Sequence, residues 1–81
     1  MSLPKKTHDD YMRMALRLAE QAAEAGEVPV GAVVVFGDRV VGRAHNQVEM
    51  LCDGTAHAEM IALTQAAAAV GDWRLTDCTV Y

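Results

Sequence analysis

One stretch constrains the fold more than any other: Val28-Pro29-Val30-Gly31-Ala32-Val33-Val34-Val35-Phe36, nine residues with no charge and no polar alternation. A strand with one wet face alternates apolar and polar residues, whereas a continuous β-branched run is what a strand covered on both faces looks like. The chain must therefore bring cover to two sides of a sheet. This is also its longest uncharged apolar run, far below the roughly 20 residues needed to span a bilayer. Gly37-Asp38 is a turn signal, and Arg39 to Asn46 alternates enough to pair back antiparallel as a hairpin.

The cover is legible on either side of the hairpin. Thr7, followed three residues later by Asp10, reads as an N-cap with an acidic first turn. From there to Ala25, Arg13, Arg17, Glu20, Gln21 and Glu24 recur at helical spacing, opposite Tyr11, Met14, Ala15, Leu18, Ala22 and Ala25, with Gly26 as the stop. A second helix runs from about Ala56 to Val70, capped by Thr55 or Asp53 and ended by Gly71, and its Ala66 to Ala69 run predicts close packing on a sheet. Between them, Gln47 to Gly54 has no period and reads as a loop. Asp77 to Tyr81 has strand composition. The order helix, strand, strand, helix, strand points to an α/β layered fold with one sheet.

Composition narrows the class. With 81 residues there is one domain at most, and surface-to-volume scaling makes its isolated stability marginal. The 52% hydrophobic and 22% charged content excludes a disordered linker. Seven Lys and Arg against eleven Asp and Glu give a charge of −4, with no basic cluster in the sequence beyond Lys5-Lys6, which counts against strong nucleic-acid binding. Thr7-His8-Asp9-Asp10 is not the apolar core of a signal peptide, so Cys52 and Cys78 are expected as reduced thiols in the cytoplasm. The first few residues read as vector-derived.

The sharpest chemical feature is Thr55-Ala56-His57-Ala58-Glu59. Residues two apart on a helix point roughly 200° apart. They can still converge over the helix end, because side chains tilt toward the N-terminus. His-x-Glu is weak alone, and the plain reading is a helix-start imidazole with a first-turn carboxylate stabilised by the dipole.

In its wider setting the feature is more specific. Glu27-Val28-Pro29-Val30-Gly31-Ala32-Val33, Asn46, Asp53-Gly54-Thr55-Ala56-His57-Ala58-Glu59 and Trp73 to Tyr81 together resemble, in order and spacing, the front part of the tRNA-specific adenosine deaminases of the cytidine-deaminase-like superfamily. The resemblance implies a three-layer α/β/α fold on one mixed sheet, present here as the N-terminal part, residues 1–81, of a single deaminase domain. It implies His57 as a Zn2+ ligand and Glu59 as the proton shuttle to and from a metal-activated water. It implies Asn46 as a hydrogen-bonding partner of the target base, with the Ala58 backbone and the Val30 side chain lining the pocket. A tRNA anticodon loop as substrate, a homodimer and a cytoplasmic setting follow in the same way.

Two departures matter. Gly54 stands where the family usually has proline, which predicts a looser approach to the site. The Pro-Cys-x-x-Cys that would supply two further zinc ligands is expected beyond residue 81, and neither Cys52 nor Cys78 matches it. The chain as written is thus expected to be a cut piece, inactive and poorly folded by itself. The rival readings are a guanine, cytosine or nucleotide deaminase sharing the same site, and a non-catalytic fragment or dimerisation module.

Overall fold

A computed structural model describes residues 5–81; the vector-like reading of Met1 to Pro4 lies outside them. The element order is α1 (His8–Glu24), β1 (Gly31–Phe36), β2 (Arg39–His45), α2 (Val48–Leu51), α3 (Ala58–Val70) and β3 (Cys78–Val80). The sheet order is β2-β1-β3, and β1 is antiparallel to both neighbours. The long apolar run therefore lies at the centre of the three strands. Val33 and Val35 point to α1 and pack with Tyr11, Ala15 and Leu18. Ala32 and Val34 point to α3 and pack with Ala58, Ala62 and Ala66. Both faces are covered, giving three layers.

The capping box at Thr7 is present. The Thr7 hydroxyl accepts from the Asp10 N–H at 3.3 Å, and the Asp10 carboxylate accepts from the Thr7 N–H at 2.8 Å. That N–H is the first cause of the Asp10 carboxyl lying below its ordinary 3.8; the Thr7 hydroxyl, Arg13 and Lys6 act in the same direction. At the other end Ala25 is the C-cap and exposed, not part of the apolar side, because Gly26 adopts φ +78° and turns the chain away.

β1 begins at Gly31, three residues later than the apolar run suggests. Pro29 has no N–H to give a ladder, the Val30 N–H closes a turn onto the Val28 carbonyl at 2.8 Å, and Val28 is exposed. A bulge after Val34 shifts the β1–β2 register, so that Val34 faces Gly42 and Val35 faces Val40. At Gly42 a Cβ would lie 2.1 Å from the Ala62 carbonyl oxygen, so α3 rests on bare backbone there. The close contact is made by Ala58, Ala62 and Ala66, one residue every helical turn, and not by the Ala66 to Ala69 run, in which Ala68 and Ala69 are exposed.

Candidate functional site

The residues singled out by sequence gather at one end of the sheet, where β1 begins, β2 ends and α3 starts. The register fixes this: Gly31, first in β1, pairs with His45, last in β2. Asn46 follows directly and is only 3% exposed. Its N–H donates to the Val30 carbonyl at 3.1 Å, and its side-chain Oδ1 accepts the Ala58 N–H at 2.8 Å. A carbonyl from the end of β2 thus satisfies one of the orphan amides at the start of α3. The Asn46 Nδ2 has no hydrogen-bond partner among the described residues and is not sealed from solvent.

α3 itself starts two residues later than sequence suggests. His57, in extended backbone (φ −76°, ψ 145°), is the N-cap, and its own side chain makes no capping bond. Asp53 and Thr55 do not cap the helix because they satisfy each other: the Thr55 N–H and hydroxyl donate to Asp53 Oδ1 at 2.9 and 2.7 Å. Those bonds hold the Asp53 carboxyl below its ordinary range, the side-chain bond first. Ala58 is fully buried against the sheet, while His57 and Glu59 on either side of it are exposed. No hydrogen bond joins His57 to Glu59. Val30 is half-buried and packs against the α3-side core.

The segment between β2 and α3 is not a plain loop. Val48–Leu51 forms a single helical turn, α2, too short to leave a periodic signature. It is tied down by Glu27, to which the sequence alone assigns no separate role. Glu27 is 6% exposed, and its two carboxylate oxygens accept the Glu49 N–H at 3.0 Å and the Met50 N–H at 2.8 Å. A buried carboxylate is costly unless hydrogen-bonded, and two backbone amides at a helix start meet that need. The only sequence signal was a lone acid between Gly26 and an apolar run. Two further bonds close the segment, Gln47 N–H to the Ala56 carbonyl at 3.0 Å and Ala56 N–H to the Asp53 carbonyl at 3.0 Å. The approach to His57 is therefore held in place despite Gly54.

The donor set for a metal is incomplete. Cys52 is exposed, with its thiol toward the Glu49 carbonyl at 3.8 Å, and Cys78 packs against the α3-side core from β3. Among the described residues no three His, Cys, Asp or Glu side chains converge. A structural or catalytic zinc needs three or four protein ligands. The described residues, His57 included, therefore do not by themselves fit the ion.

Known proteins share this sequence pattern and fold. The chain is 47% identical over 78 residues to the chloroplastic tRNA(adenine(34)) deaminase of Arabidopsis thaliana and 45% identical over 76 residues to the tRNA-specific adenosine deaminase of Bacillus subtilis. These alignments cover 95% and 93% of the chain but 6% and 47% of the two relatives. The chain thus spans about half the length of the bacterial relative. A solved structure from work on A-to-I editing by tRNA:A34 deaminases superposes with a TM-score of 0.86 at 40% identity, over 91% of this chain and 54% of that one. A guanine deaminase from Bacillus subtilis superposes with a TM-score of 0.88 at 34% identity, over 94% of this chain and 49% of that one. The sequence model of the cytidine and deoxycytidylate deaminase zinc-binding region matches residues 5–81, and the chain belongs to that family.

Proposed function

We propose that this chain carries one part of the active site of a hydrolytic deaminase that converts the wobble adenosine of a tRNA to inosine. The observation that carries the substrate choice is identity of 39–47% to tRNA adenosine deaminases over 88–99% of the chain. The geometry supports the chemistry. Glu59, exposed at the start of α3, takes one proton from the attacking water and delivers it to the ring nitrogen, then takes the second from the hydroxyl now on the carbon and delivers it to the amine, which leaves as ammonia as the carbonyl forms. Asn46 has its Oδ1 committed to Ala58, so it meets the base as a donor through Nδ2. Ala58 acts by holding Asn46, and Val30 forms the lip beside it. His57 would be one ligand of a zinc completed by donors outside residues 5–81, and such an ion would acidify the attacking water.

A homodimer in the cytoplasm completes the proposal. Met50, Leu51 and Met60 stand exposed beside the site, an apolar patch of the kind that subunit interfaces cover. Sedimentation of the complete protein as a monomer would remove that part alone.

The guanine deaminase likeness sustains a second reading, a free-base deaminase. Inosine formation in an anticodon stem-loop, compared with ammonia release from guanine and from cytosine, separates the two. The first reading expects inosine in the stem-loop and no ammonia from either base; ammonia from guanine with an unedited stem-loop replaces it with the second.

A further inference from the structure

The sequence holds no basic cluster beyond Lys5-Lys6, yet the fold builds one. A groove of about 650 Å3 runs between one flank of α1 and the β2 strand, lined by Lys6, Arg13, Arg17 and Arg43, with Asp10 as the one acid among them. Four of the chain's seven cations meet there, and the rest of the chain carries three cations against ten acids. Asp10 is paired with Arg13 at 3.4 Å, whereas Lys6, Arg17 and Arg43 have no acidic partner within salt-bridge distance among the described residues.

Concentrating like charges on an acidic molecule is unfavourable unless a counter-charge uses them. Here the three come from separate places in the sequence. Lys6 precedes α1, Arg17 is in its third turn, and Arg43 belongs to β2, where it pairs with Val33 two residues before His45. The groove faces the α1 side of the sheet, lies along β2 and therefore away from β3. Arg43 brings one end of it to within three residues of Asn46. A row of exposed guanidinium groups and an ammonium along an open groove suits a chain of phosphodiesters, since Arg offers each phosphate a bidentate fork.

We propose that this groove is a docking track for the RNA phosphate backbone, contacting the substrate tRNA outside the nucleotide that reacts. The proposal rests on tRNA being the substrate. It accounts for how an acidic chain engages a polyanion: the net charge is repulsive, but the local field along one groove is not.

The test is binding of unmodified tRNA to the complete protein by fluorescence anisotropy across a salt series, for the wild type and for Lys6→Gln, Arg17→Gln and Arg43→Gln singly and together. Each phosphate contact contributes close to one unit of slope in log K against log salt. The triple variant is expected to bind at least tenfold more weakly at low salt, with a slope shallower by about three. Inosine formation should show a raised KM at an unchanged kcat. Circular dichroism checks that the variants fold; all three side chains are exposed. If the wild type binds tRNA and the triple variant matches it in affinity and slope, the track is wrong and the deaminase reading stands. If the wild type neither binds nor edits tRNA but releases ammonia from guanine, the substrate reading falls and the track with it.

Discussion

The two faces of the sheet are packed with side chains of different size. The α1 face uses large side chains, Tyr11 and Leu18, seated over Val33 and Val35. The α3 face is lined mainly by alanines: Ala58, Ala62 and Ala66 lie on Ala32, Val34, Ala44 and the bare backbone of Gly42, with Ile61, Leu63 and Val70 half-buried beside them. By contrast, α1 meets bare backbone only near the start of β1, where a Cβ at Gly31 would lie 2.1 Å from the Ala15 carbonyl oxygen. Large interdigitating groups contribute more apolar burial, roughly 25 cal/mol for each Å2 removed from water. Methyl groups on glycine contribute less burial and hold a backbone to a narrow position, because nothing between the two chains can rotate. The face with less to gain from burial is the one to which we assign the chemistry. α3 presents His57 and Glu59, and its height above the sheet sets where Asn46 meets Ala58.

The comparison is open to tests of decreasing size. The largest effect is expected at Glu59: Glu59→Gln should lower kcat by about 10²–10⁴, while thermal unfolding and zinc content of the complete protein stay as they are. Turnover near the wild-type rate would remove the proton-transfer role and leave α3 as scaffold only.

Next come paired substitutions on the two faces. Gly42→Ala places a Cβ 2.1 Å from a backbone carbonyl that cannot step aside, which should cost about 2–3 kcal/mol of stability. Leu18→Ala should cost a similar amount, about 2–3 kcal/mol, by leaving a cavity. The faces should differ in activity measured well below either melting temperature. Gly42→Ala lifts α3 and should lose turnover there, and Leu18→Ala should not. Equal losses would mean that α3 is no more position-critical than α1.

Glu27→Ala tests the attachment of α2. With the Glu49 and Met50 amides left without an acceptor, a cost of about 2 kcal/mol is expected in urea unfolding, together with a raised KM. Glu27→Gln, which keeps one acceptor oxygen, should recover part of each.

The smallest effect belongs to the far end of α1. Thr7→Ala should cost about 1 kcal/mol and leave activity untouched. The same cap has a pH signature. Asp10 is held below its usual carboxyl range in the folded state, so its ionised form favours folding; that contribution is complete above pH 3.8 and is lost as the pH falls through the lowered value. Asp10→Asn, which removes the carboxylate that the Thr7 N–H holds, should flatten stability against pH in that acid range, and an unchanged profile would mean that the cap does not hold the carboxylate.

Much of this was legible in the sequence because it is local. The Thr7–Asp10 box, the Gly26 stop and the doubly buried run each depend on neighbours a few residues away, and the structure shows all three, the run with a later start at Gly31. The miscast elements all turned on partners distant in sequence. Gln47 to Gly54 looked structureless because α2 is one turn long and is held by Glu27, more than twenty residues upstream. The start of α3 was placed too early because its cap is Asn46, eleven residues before the N-cap, and not the adjacent Thr55 or Asp53. His57, Glu59, Asn46, Ala58 and Val30 stood out through the resemblance; no periodicity marks them.

By itself the sequence determined the layering. A strand with no polar face demands cover on both sides, and one amphipathic helix and one alanine-rich helix were there to supply it. Only the tertiary structure decided what the layers bring together: a buried carboxylate under a single helical turn, an asparagine committed through its oxygen, and three cations in one groove with no acidic partner among the described residues. Hydrophobic pattern is written along the chain at the period of each element, whereas hydrogen-bond partners and local fields are set by distances through space, which the order of residues does not state.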